Sequence, residues 1–394
     1  MASFFLLNGV LFANLAPRFP EVRARLDLTN TSLGTAIAAM PAGALLAGLF
    51  APALIRRFGS ARTAAGGLVL LAVAVALVPL SGAWLGFAAV MLCAGALDAI
   101  VDVSMNAHGF RVQRRYGRSI VNAFHGLWSV GSVIGGLMGS AAAGLEIDLP
   151  VHLAISGGIF GTSTLVASRF ALPGHDDAER EVAQEVGVPG LRGLRSAARP
   201  TVLVLALAGL GLLAACGSIV EDVGASWSAI YLRNDLGVAA AAAGLGFVAF
   251  QVAMTAGRLF GDRVVDRFGR RRVAAAGGVL VAVAMGFAIA VPSLATTLVG
   301  LALAGLGVST IVPAAMHTAD ELPGLPRGVG LAAVSWALRV GFLISPPIVG
   351  VIADAAGLRV GLLVVVVAGL GVSSLGRILG NEPPRAAAPP RPAA

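Results

Sequence analysis

Asp98 and Asp102 stand four residues apart inside a long apolar run, and Asn106 continues the same stripe one turn further on. If that run is a helix, the three side chains share one face. An ionisable group inside a membrane-length run costs about 2.5–3.5 kcal/mol to insert, so its presence asks for a reason. Two carboxylates one turn apart repel each other, which favours proton uptake by one of them. This makes the pair a candidate for proton coupling. The competing reading is structural, with the acids capping helix ends or pairing with Arg111 or Arg118.

Other residues join that chemistry. His125 and Asn122 open the next apolar run at a similar depth to Asp102 and Asn106, and a histidine near carboxylates can relay protons or gate a mouth. A buried, hydrogen-bonded histidine with no such role is the alternative. Arg339 lies about eleven residues into its run, ~16 Å deep at the helical rise. A guanidinium there requires an acid or an anionic ligand, and Asp98, Glu221 and Asp222 are the candidate partners. Glu221 and Asp222 point about 100° apart on a helix; Asp222 and Glu221 are further proton-coupling candidates. Asn8, Trp128, Gln251 and Trp336 fall well inside apolar runs and are candidates to line a binding cavity. Trp227 and Tyr231 follow the acids at i,i+4 spacing, as an outer lid or sugar-stacking surface. For Tyr231 the interfacial aromatic belt is the preferred reading. His317 reads as a boundary residue.

These residues must be carried by membrane helices. The 394 residues are 57% hydrophobic and 12% charged, with mean hydropathy +0.88; a soluble domain carries about 25% charged residues. The 52 glycines fit close helix packing. Spanning runs fall at 2–17, 31–54, 63–80, 83–107, 119–143, 150–171, 201–232, 238–261, 273–291, 294–317, 328–352 and 359–379. The expected class is therefore an all-α membrane protein of twelve transmembrane helices. Its expected divisions are a six-helix bundle over 1–171, a cytoplasmic loop over 172–200, a second bundle over 201–380 and a disordered cytoplasmic tail over 381–394. The first run is short for a span of about 20 residues, so it either uses polar-flanked ends or begins upstream of Met1. It lacks the basic flank of a signal peptide.

Net charge is +8, yet no nucleic-acid motif accompanies it, and topology accounts for the cations. All 28 basic residues are arginine. With a cytoplasmic N-terminus, 22 fall inside, five outside and Arg339 within a span. Arg18, Arg23 and Arg25 in the first outer loop are the exception, with no explanation in the sequence. No P-loop, metal array or nucleophile elbow is visible, so neither an enzyme, a cofactor nor a metal is expected. Cys93 and Cys216 read as small packing residues.

The halves repeat. Arg57-Phe58-Gly59 with Arg62 recurs 210 residues later as Arg267-Phe268-Gly269 with Arg272. Gly95 and Gly305 keep this offset, as do Gly131 and Gly341. An internal duplication of six spans is the signature of transporters that rock two bundles about a midplane site. Gly131, Gly135 and Gly139 form a ridge for helix packing, and Pro346-Pro347 are expected to break or kink the eleventh span.

On these residues the chain resembles the major facilitator superfamily (MFS) over its whole length. Asp266-Arg267-Phe268-Gly269-Arg270-Arg271 is similar to that superfamily's inner-loop motif, and the resemblance implies an inner-gate role for Asp266, Arg267, Gly269, Arg270 and Arg271. The first-half copy departs from it, with Arg56 in place of the acid and Pro52 in place of the leading glycine. Within the superfamily the segments Asp98 to Gly109, Phe124 to Ser129 and Ser218 to Leu232 resemble the subgroup typified by the membrane protein MosC. The resemblance implies an alternating-access fold of two pseudo-symmetric six-helix bundles and a polar, polyol-like or amino-polyol solute. The expected function is secondary, proton-coupled transport of a small polar solute by a monomer in a bacterial inner membrane, with both termini cytoplasmic and no nucleic-acid partner. A drug or metabolite exporter and a non-transporting sensor or scaffold are the alternatives. The intramembrane charges and the low aromatic content, 6%, argue for the polar solute.

Overall fold

The computed structural model describes residues 1–117, 120–174, 200–322, 325 and 329–379. The expected central loop (beyond residue 174), Arg118, Arg327 and the tail lie outside them. Among the described residues twelve helices are long and apolar enough to cross a membrane. In chain order they are α1 Ala2–Arg25, α2 Asn30–Phe58, α3 Ser60–Leu80, α4 Trp84–Tyr116, α5 Ala123–Gly144 and α6 Leu149–Ser168. The second six are α7 Thr201–Ser226, α8 Ala240–Phe268, α9 Arg270–Ala290, α10 Leu294–Asp320, α11 Val329–Ala356 and α12 Leu358–Ile378. Exposed leucine, valine and phenylalanine along these helices, such as Leu46, Leu70, Ile155 and Val283, give the protein the apolar coat that lipid requires.

The 210-residue repeat is visible in the backbone. Gly59 separates α2 from α3 at φ 84°, and Gly269 separates α8 from α9 at the same φ. A left-handed residue stops one helix and starts the next without a long loop, and glycine adopts that conformation at no steric cost. Trp84 and Leu294, also 210 apart, begin α4 and α10. Gly95 lies on the carbonyl of Met40 and Gly305 on that of Phe250, so both halves use the same glycine to bring the same helix pair into backbone contact. The ridge of Gly131, Gly135 and Gly139 receives the backbone of α1 at Leu6, Val10 and Asn14. A side chain there would overlap main-chain atoms, which cannot yield as a side-chain tip does.

Several expectations change. The short first span does not end at Pro17. A 3-10 turn over Ala16–Arg18 leads into a second helical piece, Phe19–Arg25, and proline is well accommodated at such a helix start. The outer-loop arginines thus belong to a helix end. Arg18 is 2% exposed, donating to Glu21 at 2.8 Å, to the carbonyl of Ile147 at 2.7 Å and to His152 at 3.4 Å. Arg23 donates to the carbonyl of Leu28. Arg18 and Arg23 thus serve local structure, which accounts for two of the three exceptions to the charge rule; Arg25 is exposed. Pro346 and Pro347 do not break α11, which runs unbroken from Val329 to Ala356. Gly34 of α2 lies against the Pro346 carbonyl, so a neighbouring helix braces the stretch where two amide donors are missing.

The contacts between the first six and last six helices gather at one end. Call the ends carrying Arg56, Arg57 and Arg263 to Arg272 the arginine-rich face. At the opposite face α2 meets α11 through Gly34 on Pro346 and Gly350 on Asn30, while α5 meets α8 through Gly136 on Phe247 and Gly144 on Ala241. There Asp354 of α11 accepts hydrogen bonds from the Asn30 amide (2.9 Å), the Asn30 side chain (2.9 Å) and the Thr31 amide (2.7 Å).

Candidate functional site

The polar residues of α1, α4 and α5 form two hydrogen-bonded groups that adjoin along one face of α4. Trp128 Nε1 donates to Asn8 Oδ1 at 2.7 Å, and Asn8 Nδ2 donates to Asp98 Oδ1 at 2.8 Å. One turn along α4, Asn106 Nδ2 donates to Asp102 Oδ1 at 3.0 Å, and His125 Nε2 donates to Asn106 Oδ1 at 3.1 Å. The two groups are therefore Trp128, Asn8, Asp98 and Asp102, Asn106, His125. Local sequence explains the placement. Helical spacing stacks the three α4 residues on one face, and Gly9 with Gly131 brings α1 and α5 close enough for Asn8 to reach both neighbours. His125 is exposed and packs edge-on to Phe5 at 5.1 Å between ring centres; Phe5 stacks on Phe124 at 5.4 Å.

The second half faces this row with cations. Arg339 is half-buried and lies within electrostatic range of both Asp98 and Asp102. Among the described residues it makes no direct ion pair, so it acts on both acids across a gap. Of the partners weighed for it, Asp98 shares its field and Glu221 pairs elsewhere; Asp102 shares that field as well. Arg258 Nη2 sits 3.5 Å from Glu221, and the same guanidinium is within electrostatic range of His125. Asp222 is buried and accepts from Ser226 Oγ at 3.1 Å. Arg111 donates to the Pro173 and Gly174 carbonyls.

Sequence reasoning missed Arg258, counted with the loop cations although it lies three residues inside the predicted eighth run; α8 extends to Phe268 and carries it into the helix. His108 was missed as well. It is buried and accepts from the Leu172 amide at 3.3 Å through Nε2, so its Nδ1 stands 3.0 Å from Ser60 Oγ as the donor of a neutral ring.

Other candidates lie apart from the cluster. Gln251 is 5% exposed, with no partner for Nε2 among the described residues. Trp336 is 51% exposed on a stripe with Val329, Val340, Ile344 and Val351, the composition of a lipid-facing surface, so it does not join the polar cluster. Trp227 and Tyr231 are 0% and 2% exposed, so Tyr231 is not in an interfacial belt and the pair presents no stacking surface in this conformation. Their neighbours Ser228 and Leu232 pack against Gly246 of α8. The side chain of Asn122 lies outside the described residues.

In the inner-loop motif, Gly269 makes the turn, Arg267 lies over the Phe268 ring at 5.5 Å and Asp266 and Arg271 are exposed. Arg270 reaches Glu321 at 3.2 Å and His317 at 3.4 Å, tying the start of α9 to the end of α10. His317 is thus a boundary residue. Partial burial raises the Glu321 carboxyl, but the Arg270 hydrogen bond and the His317 charge outweigh it and hold it below its ordinary value. These contacts stay within the second half.

The comparisons with known proteins agree with this architecture. The family model described as Major Facilitator Superfamily matches residues 211–394. Membrane protein MosC of Rhizobium meliloti is 30% identical over 371 residues, covering 94% of this chain and 86% of its own. Among solved structures, a variant of the nucleoside transporter NupG superposes with a TM-score of 0.72 at 12% identity, covering 95% of this chain and 97% of the other. The D-xylose-proton symporter gives 0.71 at 14% identity, with 97% and 96% covered. With twelve apolar helices, a six-helix repeat and a full-length relative, the chain belongs to the major facilitator superfamily of membrane transporters.

Proposed function

We propose that this protein is a secondary active transporter that moves a small polar solute, polyol, amino-polyol or sugar-like, by alternating access coupled to protons. The observation that carries this reading is the row Asn8, Asp98, Asp102, Asn106 and His125 facing Arg339 across a gap between the halves. Placing two half-buried acids and a half-buried cation within membrane spans without a direct ion pair is costly, and the cost is understandable if a ligand or proton completes the set. Asparagine, carboxylate and guanidinium groups together match the donors and acceptors of a hydroxylated solute. The coupling acid is Asp98 or Asp102; a proton there weakens its attraction to Arg339 and so links protonation to the relative position of the halves. His125, exposed and bonded to Asn106, is the entry point for that proton. The names of the two structural neighbours, a nucleoside transporter and a xylose–proton symporter, fit polyhydroxylated substrates.

The arginine distribution assigns the arginine-rich face to the cytoplasm, with both termini and the 172–200 connection on that side. The halves meet at the opposite face, so the present conformation is inward-open. The first test is ligand-induced thermal stabilisation of the purified protein at pH 5.5 and 7.5. The panel holds inositols, amino-polyols, sugars, organic acids and lipophilic cations. A ligand of the folded state raises the melting temperature by mass action. Stabilisation by a polyol or sugar that changes with pH supports the reading; stabilisation by lipophilic cations alone replaces it with an exporter.

A further inference from the structure

A second recess lies on the outside of the last six helices, remote from the polar cluster. Between α8, α9 and α10, towards the arginine-rich face, is an open groove of about 580 Å³. Gly257, Gly261, Gly277 and Gly307 line it, and its walls are apolar, including Val264 and Leu280. Phe260 and Phe268 line its edge and are 59% and 51% exposed. A recess of this composition in a lipid-facing surface admits a hydrocarbon chain.

The charges around it are sorted by sign. Arg272 is itself a lining residue, and Arg263 sits over the Phe260 ring at 6.0 Å. Arg267 adds a third cation over Phe268. The acids of the same segment, Asp262 and Asp266, point the other way. At about 100° per residue Asp262 lies roughly 160° from Phe260 and Val264, and Asp266 roughly 120° and 160° from them, towards the side that carries Arg258 and Gln251. Glu321, at the end of α10, is held by Arg270, so among the described residues the α8–α9 side of the mouth presents Arg263, Arg267 and Arg272 to the groove.

The internal repeat shows which lining residues are particular to the second half. Phe260, Phe268, Leu280 and Arg272 have the first-half counterparts Phe50, Phe58, Leu70 and Arg62 at the 210 offset. Gly257, Gly261 and Gly307 correspond to Ala47, Ala51 and Leu97. Gly277 keeps its counterpart, Gly67. In the second half the glycines draw the helices together, Gly277 against Gly307 and Gly257 and Gly261 against Ser309 and Thr310, so the floor of the groove carries no side chain of its own at these positions. We infer that the α8–α9–α10 groove is a binding site for one anionic phospholipid, with an acyl chain over the glycines and the phosphate between Arg263 and Arg272. Such a lipid packs beside Gly269 and the loop motif, where it stiffens the α8–α9 turn. The inference rests on the fold and its membrane surface and is independent of the transported solute.

The test is native mass spectrometry of the full chain in detergent, titrated with phosphatidylglycerol, phosphatidylethanolamine or phosphatidylcholine of identical acyl chains. The wild type is expected to retain one phosphatidylglycerol at least tenfold more strongly than one phosphatidylcholine. Ala276→Phe, at an exposed lining position, is expected to remove retention of all three. Arg263→Gln with Arg272→Gln is expected to lower phosphatidylglycerol to the level of phosphatidylcholine. Equal retention of the three lipids by the wild type overturns the inference, as does undiminished phosphatidylglycerol on folded Ala276→Phe. If the plugging variant fails to fold, the double arginine variant decides: unchanged selectivity there also overturns it.

Discussion

Removing the Asp354 carboxylate should open the arginine-poor face. Asp354 belongs to α11 yet caps the first turn of α2 in the other half, accepting from two backbone amides and the Asn30 side chain at 2.7–2.9 Å. Helix first-turn amides have no intrahelical acceptor, so this carboxylate plays the part of an N-cap supplied by a different bundle. When the halves part at this face, all three bonds break together. Loss of a side-chain cap costs about 0.5–2 kcal/mol. A charged acceptor strengthens each bond, while exposure lets water replace part of it. An estimate of about 1–2 kcal/mol follows, a factor of roughly 5–30 in the ratio of closed to open at that face. Gly82 and Pro292 suit the assay because they are exposed at equivalent positions of the two halves at this face. Spin labels at Gly82→Cys and Pro292→Cys, in a Cys93→Ala, Cys216→Ala background, report the distance between halves by double electron–electron resonance. Asp354→Ala should raise the long-distance population by that factor, and Asp354→Asn, which keeps one acceptor oxygen, by less. Unchanged populations in a folded Asp354→Ala protein would refute the reasoning.

Three further outcomes are expected. Gly305→Leu forces a side chain into the Phe250 carbonyl and should cost about 1–3 kcal/mol or more, read as a lower melting temperature in detergent; the same change at nearby Gly286, where a Cβ meets open space, should cost far less. Arg18→Ala leaves the Ile147 carbonyl without its donor and a cavity behind, at about 1–3 kcal/mol, whereas Arg25→Ala at the exposed helix end should leave the melting temperature unchanged. Arg258→Ala strips Glu221 of its ion pair and removes the cation nearest His125, so it should alter the pH dependence of transport more than the protein's stability.

Hydropathy made the number and order of spans legible, because a membrane helix must satisfy its backbone internally and advertise an apolar run. The repeat was legible from Arg57-Phe58-Gly59 and its copy, and the backbone follows it down to Gly95 and Gly305. Helical spacing was enough to stack Asp98, Asp102 and Asn106, and common depth was enough to bring His125 to them. Direction around a helix was harder to read. Trp336 and Arg339 are three residues apart at similar depth, yet one faces the apolar coat and the other the acids. Arg258 was misjudged because it was grouped with the arginines of the loop that follows, although it lay inside the predicted run and the helix continues past it to Phe268. Trp227 and Tyr231 are buried, a property set by tertiary packing that i,i+4 spacing does not reveal. The cap from Asp354 to α2 joins residues 324 apart, beyond any local pattern.

The measurement that bears most directly on the central proposal is proton-gradient-driven accumulation of a stabilising solute in proteoliposomes, comparing wild type with Asp98→Asn and Asp102→Asn. The account predicts that at least one of these variants loses gradient-driven accumulation while still exchanging labelled for unlabelled solute. Full gradient-driven accumulation by both variants would contradict it.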